Sequence, residues 1–245
     1  MLAIYKREMR SYFTTWTGYI FLAVALAVSA FVFSLSTFLN GSGTSDTSSY
    51  FATIIYIMVI FLPILTMKSF SEERKQKTEQ LLMTAPVSST GMVFGKFLSA
   101  FTMFLIYIVL SLINLIPLCA FSSYDTVTDS INVNGGMIFG SIFALILIGA
   151  CFIAIGIFVS ALTENQFASL VLTITVLLGL MLISSLNSLI ENEGVRMVLD
   201  WFSIYSRFSV FTYGVFDFGA LFYYLLITGV FVFITIRVFE AKREN

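Results

Sequence analysis

Long stretches without Asp, Glu, Lys or Arg alternate with short polar segments along this chain. Six of these stretches reach 19 residues or more: 11–45, 47–67, 97–124, 130–163, 165–190 and 218–236. A helix needs about 20 mostly apolar residues to cross ~30 Å of hydrocarbon. Each stretch therefore predicts one membrane span, at 17–39, 51–68, 96–121, 136–161, 167–190 and 218–238. The apolar residues run continuously and do not alternate with period two, which argues against a β-barrel. Backbone groups in lipid must bond within their own segment, and that leaves helices. The predicted fold is all-α, a single transmembrane domain over 1–245 with six spanning helices.

The segments between the spans carry their own patterns. Leu2, Tyr5, Met9, Tyr12 and Trp16 recur at three- and four-residue steps, with Lys6, Arg7 and Arg10 off that stripe. This predicts an interfacial amphipathic helix over 1–15, with Trp16 near the headgroups. An anchor with no further role fits the same pattern. The apolar stretch that follows Val28-Ser29-Ala30 continues to Leu39, too long for the core of a cleaved signal peptide, so an uncleaved span is expected. Segment 191–217 mixes Glu191, Glu193, Arg196, Asp200, Arg207 and Asp217 with Trp201, Phe202, Tyr205, Phe208 and Phe211. It is too charged for a seventh span and too apolar for a free loop. An interfacial or re-entrant segment on the outer side is expected, with a loop packed on the span ends as the alternative. Segments 40–50 and 122–135 read as short solvated turns.

Seven charged residues fall within 68–79: Lys68, Glu72, Glu73, Arg74, Lys75, Lys77 and Glu79. Ser69 and Glu72 have capping-box spacing, and Glu73 and Lys77 are spaced for an i,i+4 pair. These predict a short helix over 69–84, ended by Pro86, with Ser88 or Ser89 capping the next helix. Leu81, Leu82 and Met83 give the short helix an apolar tip. A charged helix with such a tip suits docking into a groove on a partner, and a solvated turn whose charges set topology is the alternative.

Composition narrows the chemistry. Hydrophobic residues make up 58% of the chain and charged ones 11%, against about 25% charged in an ordinary soluble domain. A net charge of −1 removes bulk-charge binding of nucleic acid. The absence of histidine removes His-based acid–base, nucleophilic and metal-binding systems. Cys119 and Cys151 both lie in apolar stretches and read as small buried hydrophobes. No catalytic, cofactor-binding or metal-binding residue is expected. Gly91-Met-Val-Phe-Gly95-Lys96 is one residue short of a phosphate loop and lacks its Ser or Thr, so no nucleotide site is expected either.

Lys and Arg distribution sets orientation. With six spans, 11 of the 13 basic residues fall on one face, from Lys6, Arg7 and Arg10, through Lys68, Arg74, Lys75, Lys77 and Lys96, to Arg237, Lys242 and Arg243. Only Arg196 and Arg207 fall on the other. Both termini are therefore expected in the cytoplasm.

Several features, taken in order, resemble the permeases of the second ABC exporter type, particularly the gliding-motility-associated and nitrous-oxide-reductase-maturation permeases. They are Tyr5-Lys6-Arg7-Glu8-Met9-Arg10, then Glu72-Glu73-Arg74, Thr78-Glu79, Leu81-Leu82, Pro86-Val87-Ser88 and Gly95-Lys96. Lys77 departs from that pattern, where relatives often carry Gly. The resemblance covers the whole chain. It implies a multi-pass cell-membrane (plasma-membrane) subunit of an ATP-driven exporter, paired with a second permease subunit in the lipid bilayer. It also implies a separate cytoplasmic ABC ATPase that binds the ATP, so this chain carries no cofactor of its own. By match, Glu8, Glu73, Arg74, Thr78 and Glu79 are the expected ATPase-coupling residues, either touching the ATPase or bracing the fold. The substrate and its residues stay open. The resemblance equally admits a subunit that passes motion to an outer partner without moving a solute.

Three other classes fit less well. Ion-coupled transporters place ionisable residues within the membrane, and the predicted spans have none near their midpoints. No ring of charges suggests a channel filter. Glu72-Glu73 lacks the histidines that a paired-glutamate membrane protease would need. Small-residue pairs at Ala23 and Ala27, Gly136 and Gly140, and Ala150 and Ala154 suit close helix contacts, within this chain or with another.

Overall fold

The computed structural model describes residues 1–35, 47–75, 88–116, 124–125, 130–131, 135–187, 194, 203–212, 214 and 216–244. Helix dominates these residues. The order is α1 (Leu2–Thr14), α2 (Trp16–Ser34), α3 (Thr47–Thr66), α4 (Lys68–Lys75), α5 (Ser89–Ser111), α6 (Gly135–Leu162), α7 (Gln166–Asn187), α8 (Ile204–Thr212) and α9 (Phe218–Glu244). Six helices are long and apolar enough to cross a membrane, and each falls on one of the six predicted spans. A 3₁₀ turn, Leu112–Asn114, extends α5. Within the stretch expected to be a plain turn, Tyr124–Asp125 and Ser130–Ile131 pair antiparallel as two short strands, β1 and β2.

Helix α6 is the centre of the bundle. It packs against α3, α4, α5, α7, α8 and α9. Its sequence is apolar all round, as a helix enclosed by others requires. At 28 residues it is about 42 Å long, longer than the ~30 Å hydrocarbon layer, so its ends reach beyond the apolar zone. Cys151 lies buried in this helix, as expected. Cys119 lies outside the described residues.

The small residues serve mainly inside the chain. A Cβ on Gly140 would come within 2.8 Å of the Phe211 carbonyl oxygen on α8, and Ala154 is fully buried. Ala23 and Ala27 face outward on α2.

The N-terminal helix forms where the sequence predicts it. It lies against α5 and α2 as part of the bundle, with Ile4 buried and the Tyr5 hydroxyl 3.2 Å from Thr102 Oγ1. Leu2, Phe13 and Trp16 face outward. The predicted stripe is therefore split between two surfaces. Thr15 breaks the helix in extended backbone. Gly18 then lets α2 turn back closely, because a Cβ there would sit 2.4 Å from the Tyr12 carbonyl oxygen.

On the opposite end, α8 supplies the described helical part of the predicted outer segment 191–217. Ile204, Phe208 and Phe211 point inward, and the Tyr224 hydroxyl of α9 donates to the Ile204 carbonyl at 2.7 Å. This described helix thus packs on the ends of α6, α7 and α9.

Candidate functional site

Helices α3, α6 and α7 pack against α4, and α1, α5 and α9 also reach it. The predicted helix over 69–84 is seen as far as Lys75, and it follows α3 after a single turn residue, Met67. Ser69 was expected to cap this helix. Instead it lies inside it, and the free donors near its start are met from elsewhere. Ser160 Oγ of α6 accepts from Phe70 N at 3.1 Å and Ser71 N at 3.2 Å, and donates to Met67 O at 3.2 Å. A hydroxyl from another helix thus does the work of an N-cap. The predicted cap on the next helix is present: Ser88 Oγ accepts from Gly91 N.

A charged quartet fastens α1, α4 and α5 together. Lys96 of α5 is 1% exposed and lies 2.7 Å from Glu73 Oε2 and 3.6 Å from Glu8 Oε1. Arg7 Nη2 lies 2.6 Å from Glu73 Oε1 and 2.8 Å from Glu8 Oε1. The two carboxylates are 15% and 19% exposed. The Lys96 ammonium also donates to the Ser69 carbonyl and sits 4.5 Å from the centre of the Phe70 ring. Two cations and two anions cancel, and such pairing offsets part of the cost of burying charge. Burial pulls the Arg7 guanidinium down, but hydrogen bonds and charges from Glu8 and Glu73 outweigh it and leave its pKa raised. Burial, and then the charge of Glu8, push the Tyr12 phenol up, so it remains a neutral donor.

Gly95 makes the approach of α1 possible. A Cβ there would meet Ile4 Cγ2 at 3.1 Å. Gly95-Lys96, the tempting phosphate-loop fragment, is therefore a helix contact surface followed by an ion-pair donor.

Arg74 points to the other side of α4. It donates to the Ala161 carbonyl at 2.8 Å and the Leu162 carbonyl at 3.2 Å, the last carbonyls of α6. Lys242 of α9 reaches Ala161 O at 3.2 Å. Both cations meet the negative end of a long helix, where free carbonyls and the helix dipole favour them. The rings of Phe70 and Phe239, 4.4 Å apart, close this side.

The structure thus brings Glu8 and Glu73 into one network and sends Arg74 to a second anchor on the same short helix. Thr78 and Glu79, also expected coupling residues, lie outside the described residues. Sequence reasoning missed the internal roles of Arg7, Lys96, Ser160 and Lys242. One signal for Lys96 was available. It stands eight residues past the Ser88 cap, about 12 Å into a helix, and is therefore not a flanking charge at the helix mouth.

The comparisons fit this geometry. No curated protein matches the chain. The family described as ABC-2 family transporter protein matches residues 9–181, a region that holds Glu73, Arg74, Lys96 and Ser160 together with α2 to α6 and most of α7. Members are membrane permease components of ABC transporters, not themselves catalytic, and in general imply a cytoplasmic ABC ATPase partner. With well over half its length matched and six apolar helices in place, this chain belongs to the ABC-2 family of transporter proteins.

Proposed function

We propose that this chain is the permease subunit of an ABC exporter, in which α4 carries motion from a separate ATPase into the spans. The carrying observation is the double anchoring of α4. Lys96, Glu73, Glu8 and Arg7 lock one side of it to α1 and α5, while Arg74 locks the other to the end of α6. A push on the segment that follows Lys75 reaches α1 and two spans, α5 and α6, through bonds that have definite geometry. The basic residues of this end, Arg7, Arg74, Lys96 and Lys242, gather on one side of the bundle. That supports a cytoplasmic placement of this end and of both termini in the cell membrane.

In this reading the ATPase touches the region of Thr78 and Glu79, and Glu8, Glu73 and Arg74 brace it from behind. A second permease subunit, the same chain or a homologous one, completes the membrane unit. The kinship with gliding-motility or nitrous-oxide-reductase-maturation permeases rests on the ordered motifs. Export of a solute and delivery of motion to an outer partner both use the same coupling.

Purification of the tagged protein from its native membrane in mild detergent tests the assembly. Stoichiometric recovery of a phosphate-loop ATPase is the expected result. Repeated recovery without any ATPase, across several mild detergents, overturns the proposal.

A further inference from the structure

Between the elbow of α1 and α2 and the far end of α3 lies a groove of about 220 Å³. Ile20, Phe21 and Val24 of α2 form one wall, and Phe61, Ile64 and Leu65 of α3 the other. Ile20 and Val24 are exposed, so the groove opens on the outer face of the bundle. Tyr12 and Lys68 supply the polar end. Lys68 is half-buried, and neither its ammonium nor the Tyr12 hydroxyl has a hydrogen-bond or ion-pair partner among the described residues. No carboxylate lines the groove.

The site therefore offers a carbon-lined slot, with a cation and a hydroxyl donor that no described residue bonds, Tyr12 also feeling the charge of Glu8. Lys68 stands where apolar α3 gives way to charged α4, the depth of lipid headgroups. The slot then follows α2 from Thr17 to Val24, about 10 Å into the hydrocarbon layer. The ligand that satisfies both parts has an acyl chain and an anionic headgroup. A spanning helix of a second chain would fill the slot but leave the ammonium unmatched. We infer that this groove holds one anionic glycerophospholipid of the leaflet at the basic end of the bundle. The inference stands independently of the ATPase reading, since it uses only the groove and its two free polar groups.

Trp16 adjoins the groove, and Trp201 is the only other tryptophan. A Trp201→Phe chain reconstituted in dioleoylphosphatidylcholine vesicles therefore reports on this region through Trp16. Quenching is titrated with dibrominated phosphatidylglycerol and, separately, dibrominated phosphatidylcholine. The expected preference for the anionic lipid is about fivefold, the effect of one lysine near the surface. Lys68→Gln, which removes the charge without breaking a hydrogen bond or ion pair among the described residues, should bring it below about twofold. Val24→Phe, which narrows the slot and leaves the charge, should do the same. Arg10→Gln, outside the groove, should leave it intact. Equal quenching by both lipids in the parent overturns the inference. So does a preference that survives Lys68→Gln, one that survives Val24→Phe, or one that Arg10→Gln also removes, because surface charge alone then explains it.

Discussion

The two ends of the bundle solve the same problem with different chemistry. Each must hold a short helix against the ends of several spans. At the basic end, α4 is held by two carboxylates, two cations, a borrowed serine cap and an arginine on free carbonyls. At the opposite end, α8 is held by Ile204, Phe208 and Phe211, with the Tyr224 hydroxyl bond and Arg207 lying 4.3 Å from the centre of the Tyr223 ring. Apolar packing tolerates small sliding, because each dispersion contact is individually weak. Charge-assisted bonds hold one geometry until they break. The comparison teaches that the basic end is fastened by directional charged bonds and the opposite end mainly by packing.

The comparison can be broken most sharply at Lys96. Lys96→Met takes the buried ammonium away from Glu73 and Glu8, and loss of a buried partner should cost about 3–5 kcal/mol. Denaturant titration of the full chain in mild detergent measures it. A loss under 1 kcal/mol would make the basic end no stiffer than the other.

Phe208→Ala tests the opposite end. Truncation of a buried ring should cost ~3 kcal/mol through lost packing. Conservative removal of charge nearby should cost little, so Arg207→Gln should fall within about 1 kcal/mol of the parent in the same titration. A larger cost for Arg207→Gln than for Phe208→Ala would reverse the assignment of aromatic and ionic ends.

Arg74→Gln removes the charge at the end of α6 and should cost about 1–2 kcal/mol. The readout is faster proteolysis near Leu162. Unchanged cleavage would detach α4 from the central helix.

Arg7 is half exposed, and Arg7→Gln should cost only ~0.2–1 kcal/mol. At ~1 M salt, where screening acts over about 3 Å, that difference should vanish. The Lys96→Met cost should persist. Equal salt sensitivity of the two variants would mean that water reaches Lys96.

The six spans were legible because a long apolar run between charges is a signal carried by neighbours in sequence. The break at Thr15 and the Ser88 cap were legible for the same reason. The charged joint was legible only in part. Glu8, Glu73 and Arg74 were singled out by their motifs, but Glu73 finds Arg7 66 residues away, Arg74 finds Ala161 87 residues away, and Glu8 reaches distant Lys96 besides its neighbour Arg7, and no local pattern reports the long-range pairings. Lys96 read as a topology charge because it precedes an apolar run. Its burial follows from α1 lying over Gly95, a tertiary event. Ser69 read as a cap because spacing alone cannot show that α4 continues from α3 past one residue, or that Ser160 takes the donors.

The central claim is that α4 transmits motion because it is locked on both sides. ATP turnover by the purified permease–ATPase complex, compared between the parent and Glu73→Gln, tests it most directly. The account predicts that the ATPase stays bound in equal amount, while the turnover it gains from the membrane subunit falls about tenfold, ~1.4 kcal/mol of lost coupling. Full turnover in the Glu73→Gln complex would contradict it and leave the charged quartet as a brace with no part in coupling.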